Sequence, residues 1–210
     1  TECGKDCLKG ATLKLFMIDA ETSEEYLAEQ RTVSGCQLDL LLTPNRDYRV
    51  EVTKDGWFNG TATLSSKGIR KSDTLQLDAC LRIIPTEPVR LEGIRYDFDS
   101  ADLTPDAKTA IDTGLLVILQ RNPDIIIELS SHTDSRGKDD YNMRLSDRRA
   151  QSVVKYCIEK GVDKQRLEAK GYGETMPVAP NEHPDGTDNP EGRAINRRTE
   201  FKIIGRLTEE

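Results

Sequence analysis

Long apolar runs are missing from this sequence. None approaches the roughly 20 residues that a membrane-spanning helix needs, so no transmembrane segment is expected in these 210 residues. The opening TECGKDC has neither the basic nor the apolar stretch of an export signal, so an exported protein would carry its signal upstream. Imidazole is scarce: His132 and His183 are the only histidines, and no Cys-x-x-Cys pair occurs. Both facts argue against a structural zinc centre, which needs about four nitrogen and sulfur ligands. There is no glycine-rich phosphate loop, and no serine or cysteine is arranged with a histidine and an acid as a hydrolytic nucleophile would be. No cofactor is expected. Positive charge is in deficit too: the formal net charge of -7 disfavours nucleic acid as a partner.

What is present describes a globular chain of one large or two small domains, with 36% hydrophobic and 32% charged residues. Cys3, Cys7, Cys36 and Cys80 fall in the first part, which suits an oxidising compartment and one or two disulfides. Three pairings stay open, as do reduced core thiols. Basic residues gather between Gly192 and Arg198, as a cationic patch or as ordinary solvated surface.

The first part reads as all-β. In Ala11 to Ile18, Leu13, Leu15 and Met17 alternate with Thr12, Lys14 and Phe16. Leu38 to Leu42 is a second strand candidate, followed by a turn at Thr43 to Asp47. Tyr48, Val50 and Val52 then share a face as far as the Lys54–Gly56 turn, Ala62 and Leu64 continue, and Leu75, Leu77, Ala79 and Leu81 complete the series. Short strands at this spacing predict a small sandwich. The segment LLTPNRDYRVEVTKDGWFNGTATL, Leu41 to Leu64, resembles the carboxypeptidase-regulatory, transthyretin-like sandwiches. That resemblance implies a packing or recognition module, with an envelope protein as its expected partner. Trp57 and Phe58 are expected as partly buried packing, with a ligand surface as the alternative.

Pro85 and Pro88 interrupt this pattern, which places the boundary between domains 1–87 and 88–210. Beyond it the period changes. Ile94, Tyr96 and Phe98 predict a strand; Thr104 and Pro105 predict the cap and first residue of a helix whose face carries Ala107, Ile111, Leu115, Ile118 and Leu119. Asn122 and Pro123 stop it, and Ile125, Ile127 and Leu129 form a strand. Ala150, Val153, Val154, Cys157 and Ile158 mark the buried stripe of a second helix that ends at Gly161. Cys157 is thereby a core thiol. Strands at Leu167 to Gly171 and Glu200 to Ile204 give the order β-α-β-α-β-β, an α+β fold with helices on a small sheet.

Within this region stands HTDSRGKDDYNMRLSDRRAQSVVKYCIEKGV, His132 to Val162, preceded by IRYDFDSADLTPDA and followed by GYGETMPVAPN and GRAINRRTEFKI. These four ordered motifs resemble the OmpA C-terminal-like, peptidoglycan-associated-lipoprotein-like domain family over residues 88–210. Ser131 departs from the glycine usual before His-Thr-Asp. The resemblance implies non-covalent binding of the peptidoglycan stem peptide, anchoring an outer-membrane or periplasmic protein to the wall of a Gram-negative cell. Diaminopimelate ends in an ammonium and a carboxylate, so a protein selecting it needs an anion beside a planar cation. The family positions matching Asp134 and Arg149 supply these. Asn142 is implied to order the loop, Asp97 and Phe98 to line the opposite wall, and Leu145 to add an apolar rim. Arg193, Asn196, Arg197 and Arg198 are implied to be mainly structural, pairing with carboxylates, with a minor part in meeting anionic glycan or peptide groups as the alternative. A lysine-type stem lacks the second carboxylate and leaves the arginine unanswered, at a cost on the order of 1–3 kcal/mol.

Three other assignments compete. Asp97, Asp99 and Asp102 form a carboxylate cluster, but at the start of a helix acids face free amides, and no enzymatic activity is expected. Glu182 to Glu191 is acidic without the spacing of a helix–loop–helix calcium loop, so a surface loop is expected and no metal. The alternative function is a protein-interaction module of an envelope complex that does not bind peptidoglycan.

Overall fold

The computed structural model describes residues 9–35, 38–69, 74–77, 81–97 and 99–207. The chain divides into two compact units, Thr1–Ile84 and Pro85–Glu210. The four cysteines Cys3, Cys7, Cys36 and Cys80 lie outside the described residues, as does Phe98.

In the first unit, β1 (Thr12–Ile18), β2 (Glu25–Thr32), β3 (Asp47–Thr53) and β4 (Gly60–Ser65) form an antiparallel sheet in the order β2-β1-β3-β4. Alternation puts Leu15, Tyr48, Val50 and Val52 in the core, with Leu13, Met17 and Trp57 packed against it. Tyr48 tolerates burial because its hydroxyl donates to the Thr43 carbonyl at 2.9 Å. On the opposite face the Arg49 guanidinium lies 4.2 Å from the Phe16 ring centre and pairs with Glu25.

Two strand expectations need correction here. Leu38–Leu42 is not a strand: Leu40 and Leu42 pack on the core, Leu41 is 97% exposed, and the backbone joins no ladder. Residues 74–77 are not a strand either, with Leu75 and Leu77 exposed. Among the described residues the unit therefore holds one sheet. Its apolar face is covered by Leu40, Leu42, Trp57 and Leu81. The unexpected member is β2, an edge strand of mostly exposed residues with no apolar face to announce it.

In the second unit a four-stranded sheet has the order β5-β8-β6-β7, from β5 (Val89–Arg90), β6 (Ile125–His132), β7 (Leu167–Gly173) and β8 (Thr199–Arg206). β6 and β7 are parallel and the other pairs antiparallel. The expected strand through Ile94 and Tyr96 is absent. Pairing with β8 is taken by Val89 and Arg90, the chain turns at Gly93 (φ 82°), and the Tyr96 hydroxyl then donates to the Arg149 carbonyl at 3.2 Å. The segment is thus tied to a helix instead of the sheet.

Thr104 caps α1 (Pro105–Ala110) by accepting from the Ala107 amide at 3.2 Å. The helix continues through one π turn at Ile111–Leu115 into α2 (Leu116–Arg121), burying Ala107, Ile111, Leu115 and Leu119 completely; Ile118 is half-buried. The crossover between β6 and β7 is α3 (Asp139–Glu159), whose buried face is apolar at Ala150, Val153 and Cys157. Ile158, expected in that stripe, is 38% exposed because it falls at the face's margin. Burial pushes the Cys157 thiol up to about 12, as befits a core residue. Toward its N-terminus the same face turns polar, with Asn142, Ser146 and Arg149 buried. α3 lies against β7 so closely that a Cβ on Gly171 would stand 2.3 Å from the Asp147 amide nitrogen. The short α4 (Pro190–Asn196) precedes β8, and the sequence pattern missed it.

Candidate functional site

The polar end of α3 meets the C-terminal end of β6 and the loop between them. That loop is fixed by its backbone: His132 donates to the Arg198 carbonyl and Thr133 to the Gly173 carbonyl, both at 2.9 Å. Asn142 reaches back from α3, its amide donating to the Asp134 and Arg136 carbonyls at 3.3 and 3.1 Å and to the Glu174 carboxylate. Gly137, at φ 117°, passes close over that side chain. Ser146 accepts from the Gly173 amide at 2.8 Å, locking β7 to the same turn of α3.

This frame presents Asp134 at 7% exposure. Its Oδ1 accepts from the Arg136 amide at 3.0 Å; its Oδ2 accepts from Arg197 at 2.6 Å and from Arg193 at 3.4 Å. Both arginines come from the α4 segment. Asn189 caps that helix by accepting from the Gly192 amide at 3.0 Å, and Pro190 opens it. Arg193 is anchored on Asp188 through two bonds of 2.7 Å, and Asp188 also accepts from Arg136 at 2.9 Å. The acidic loop thus spends Asp188 on arginines, while Asp185 holds the amide and hydroxyl of Thr187.

Arg149 is 9% exposed, and burial pulls its guanidinium below the ordinary value. Its Nε donates to the Ser100 carbonyl at 2.9 Å, and the guanidinium carbon lies 4.7 Å from the centre of the Tyr96 ring. Its terminal nitrogens have no hydrogen-bond partner among the described residues. They face a cavity of about 530 Å³ whose wall includes Arg95, Tyr96, His132, Arg197 and Arg198. Five arginines and one carboxylate, Glu92, line it in all. Its floor is anion-seeking.

His132 is 4% exposed and stacks on Tyr172 with centroids 5.2 Å apart. Among the described residues Nδ1 has no hydrogen-bond partner, and Nε2 lies 3.4 Å from Glu200 Oε2 without hydrogen-bond geometry. Burial first, and then the charge of Arg198, lower its pKa to about 4, so the ring is neutral near pH 7.

Of the residues the family resemblance singled out, Asp134 and Asn142 meet in the β6–α3 loop, whereas Arg149 lies on Ser100 and Tyr96 and shares a cavity wall with His132. No ion pair joins Asp134 to Arg149 among the described residues; Arg197, which lines the cavity and binds Asp134, stands between the two roles. Asp97 is exposed, Leu145 is 6% exposed and is not part of the cavity wall, and Phe98 lies outside the described residues. Sequence pattern left the contributions of Tyr96, His132 and Ser146 unread. The usable cue for Arg193 and Arg197 was the Asn189–Pro190 pair, which starts the helix that aims them.

The OmpA family model matches residues 95–190. The chain is 46% identical over 114 residues to photosystem I P700 chlorophyll a apoprotein A2 of Gloeobacter violaceus, covering 53% of this chain and 13% of that one. It is 36% identical over 129 residues to the peptidoglycan-associated lipoprotein of Pseudomonas aeruginosa, covering 61% of this chain and 68% of that protein. The crystal structure of the peptidoglycan-associated lipoprotein from Burkholderia pseudomallei aligns with a TM-score of 0.44 at 26% identity, covering 53% of this chain and 88% of that one. Of the outer membrane protein A of Bordetella avium and the outer membrane porin F of Pseudomonas fluorescens the chain spans 53% and 33%. With four motifs in order and a peptidoglycan-associated lipoprotein 36% identical and matched over 68% of its length, the chain belongs to the OmpA family.

Proposed function

We propose that the second unit binds peptidoglycan non-covalently through the diaminopimelate residue of its stem peptide. In this role it anchors a periplasmic or outer-membrane protein to the wall of a Gram-negative cell. The observation that carries the proposal is Arg149: a buried guanidinium held by one hydrogen bond and an aromatic face, with its remaining donors turned to a cationic cavity. A buried fork with free donors is matched by a carboxylate, which accepts two parallel bonds. Asp134 receives the ammonium, and Asn142 holds the loop that carries it. Asp97 and Phe98 enter this assignment through the family resemblance alone, and Leu145 is set aside because it does not line the cavity.

The 210-residue chain titrated calorimetrically with a soluble diaminopimelate stem peptide is expected to show saturable binding. The matched lysine peptide and the Arg149→Ala variant are expected to bind at least tenfold more weakly, the equivalent of about 1.4 kcal/mol. A folded protein that binds neither peptide would sink the assignment.

A further inference from the structure

Asp134 already holds three donors. Its Oδ2 carries two guanidinium donors and its Oδ1 a backbone amide, so an incoming ammonium finds no vacant position on Oδ2. The two arginines differ in how firmly they are held. Arg193 has a 10% exposed side chain and a two-bond grip on Asp188. Arg197 has a 46% exposed side chain, and Asp134 is its only side-chain hydrogen-bond partner among the described residues. One is fixed and the other can leave.

Arg197 also lines the cavity that Arg149 faces. We infer that Arg197 is a displaceable latch on Asp134, so that the site admits a ligand end carrying an ammonium and a carboxylate together and rejects either group alone. The inference rests on the stem-peptide assignment above and adds the device that sets its selectivity. A lone ammonium that takes Oδ2 exchanges itself for a guanidinium, a substitution of one charge-assisted hydrogen bond for another, beside a wall of like charge. A zwitterionic end is different. Its ammonium takes the place of Arg197, and its carboxylate gives the freed guanidinium and Arg149 a new common acceptor. Every charge that is displaced is answered.

The latch makes a prediction opposite to that of an ordinary binding arginine. Removing it frees one position on Asp134 Oδ2 for an ammonium, so Arg197→Ala gains affinity for the lysine stem peptide. The same change costs the diaminopimelate peptide one carboxylate partner while sparing it the exchange, so its affinity changes little. Selectivity for diaminopimelate over lysine is expected to fall by about tenfold to a hundredfold, the scale of one charge-assisted hydrogen bond. Arg197→Lys, which keeps a cation on Asp134, is expected to retain most of the discrimination and guards against a folding defect in the alanine variant. Thermal unfolding of each variant reports whether the fold survives.

Both peptides would be titrated into wild type, Arg197→Ala and Arg197→Lys. Lysine-peptide binding that strengthens in Arg197→Ala alone supports the latch. Diaminopimelate binding in wild type with an unchanged or larger preference in Arg197→Ala overturns the latch and leaves the stem-peptide assignment standing. A folded wild type that binds neither peptide overturns both.

Discussion

The two ends of β6 each hold a buried arginine, and they are held in opposite ways. At the start of the strand Arg166, 8% exposed, gives Nε to the Ile125 carbonyl at 3.0 Å and Nη2 to Leu119 and Asn122 at 2.8 and 2.6 Å. It closes the C-terminal end of α2 onto the sheet, where free helix carbonyls and a cation attract each other. At the far end Arg149, 9% exposed, makes one such bond and turns its remaining donors to a cavity. Burial costs both side chains their hydration. The first recovers three hydrogen bonds within the chain and the second only one. Equal burial therefore says little about role; the count of satisfied donors separates a residue that builds the fold from one that waits for a partner.

The contrast can be broken at four points. Arg166→Ala removes a charged donor from three carbonyls at the end of α2 and the start of β6, and a loss of about 4 kcal/mol in chemical denaturation is expected. His132 tests the open end through pH. Its folded pKa of about 4 lies below the ordinary 6.5, so between these values the unfolded chain takes up a proton that the folded chain refuses. Stability contributed by the neutral ring is complete above pH 6.5 and is lost as pH falls toward 4, by about 3 kcal/mol at most. Melting curves of His132→Phe, which keeps the stack on Tyr172, should show a correspondingly flatter acid limb than wild type.

Gly171→Ala probes how tightly the open end is braced. The new methyl would meet the backbone of Asp147, so α3 must shift, at about 2 kcal/mol in unfolding free energy. Arg149→Ala should cost least, about 1 kcal/mol, because losing one hydrogen bond is offset by relief from desolvation and from the charges of Arg148 and Arg197. If Arg149→Ala destabilised the protein as much as Arg166→Ala, the distinction between the two ends would fail.

Much of the second unit was legible because each element there carries its own local signal. Thr104–Pro105 starts α1 and Gly161 closes α3, each with cap chemistry that needs no knowledge of the tertiary fold. The strand through Tyr96 was misread because alternation describes a face and says nothing of pairing partners; Val89 and Arg90 hold the edge of β8. Leu38–Leu42 failed for the same reason, its leucines packing on a core without a ladder. β2 was invisible because an edge strand exposed on both faces has no pattern to show. At the site, Asp134, Asn142 and Arg149 were found through family motifs. Arg197's hold on Asp134 depends on a contact across 63 positions in the chain, which no local rule contains. The polar turn of α3 was nearer to hand, since Ser146 and Arg149 continue the stripe of Val153 and Cys157.

Asp188 has a consequence for how this sequence can drift. It joins Arg193 of α4 to Arg136 of the β6–α3 loop, two segments more than 50 positions apart. Loss of Asp188 leaves the largely buried Arg193 leaning on Asp134 alone, while loss of Arg193 removes a fixed donor from Asp134. Neither is a neutral first step. Mutational paths through positions 134, 188 and 193 must therefore move in compensated pairs, whereas Arg136, with a 66% exposed side chain, is free to wander. In a growing set of sequences these three positions should change together or not at all, even where the surrounding acidic loop varies in length and composition.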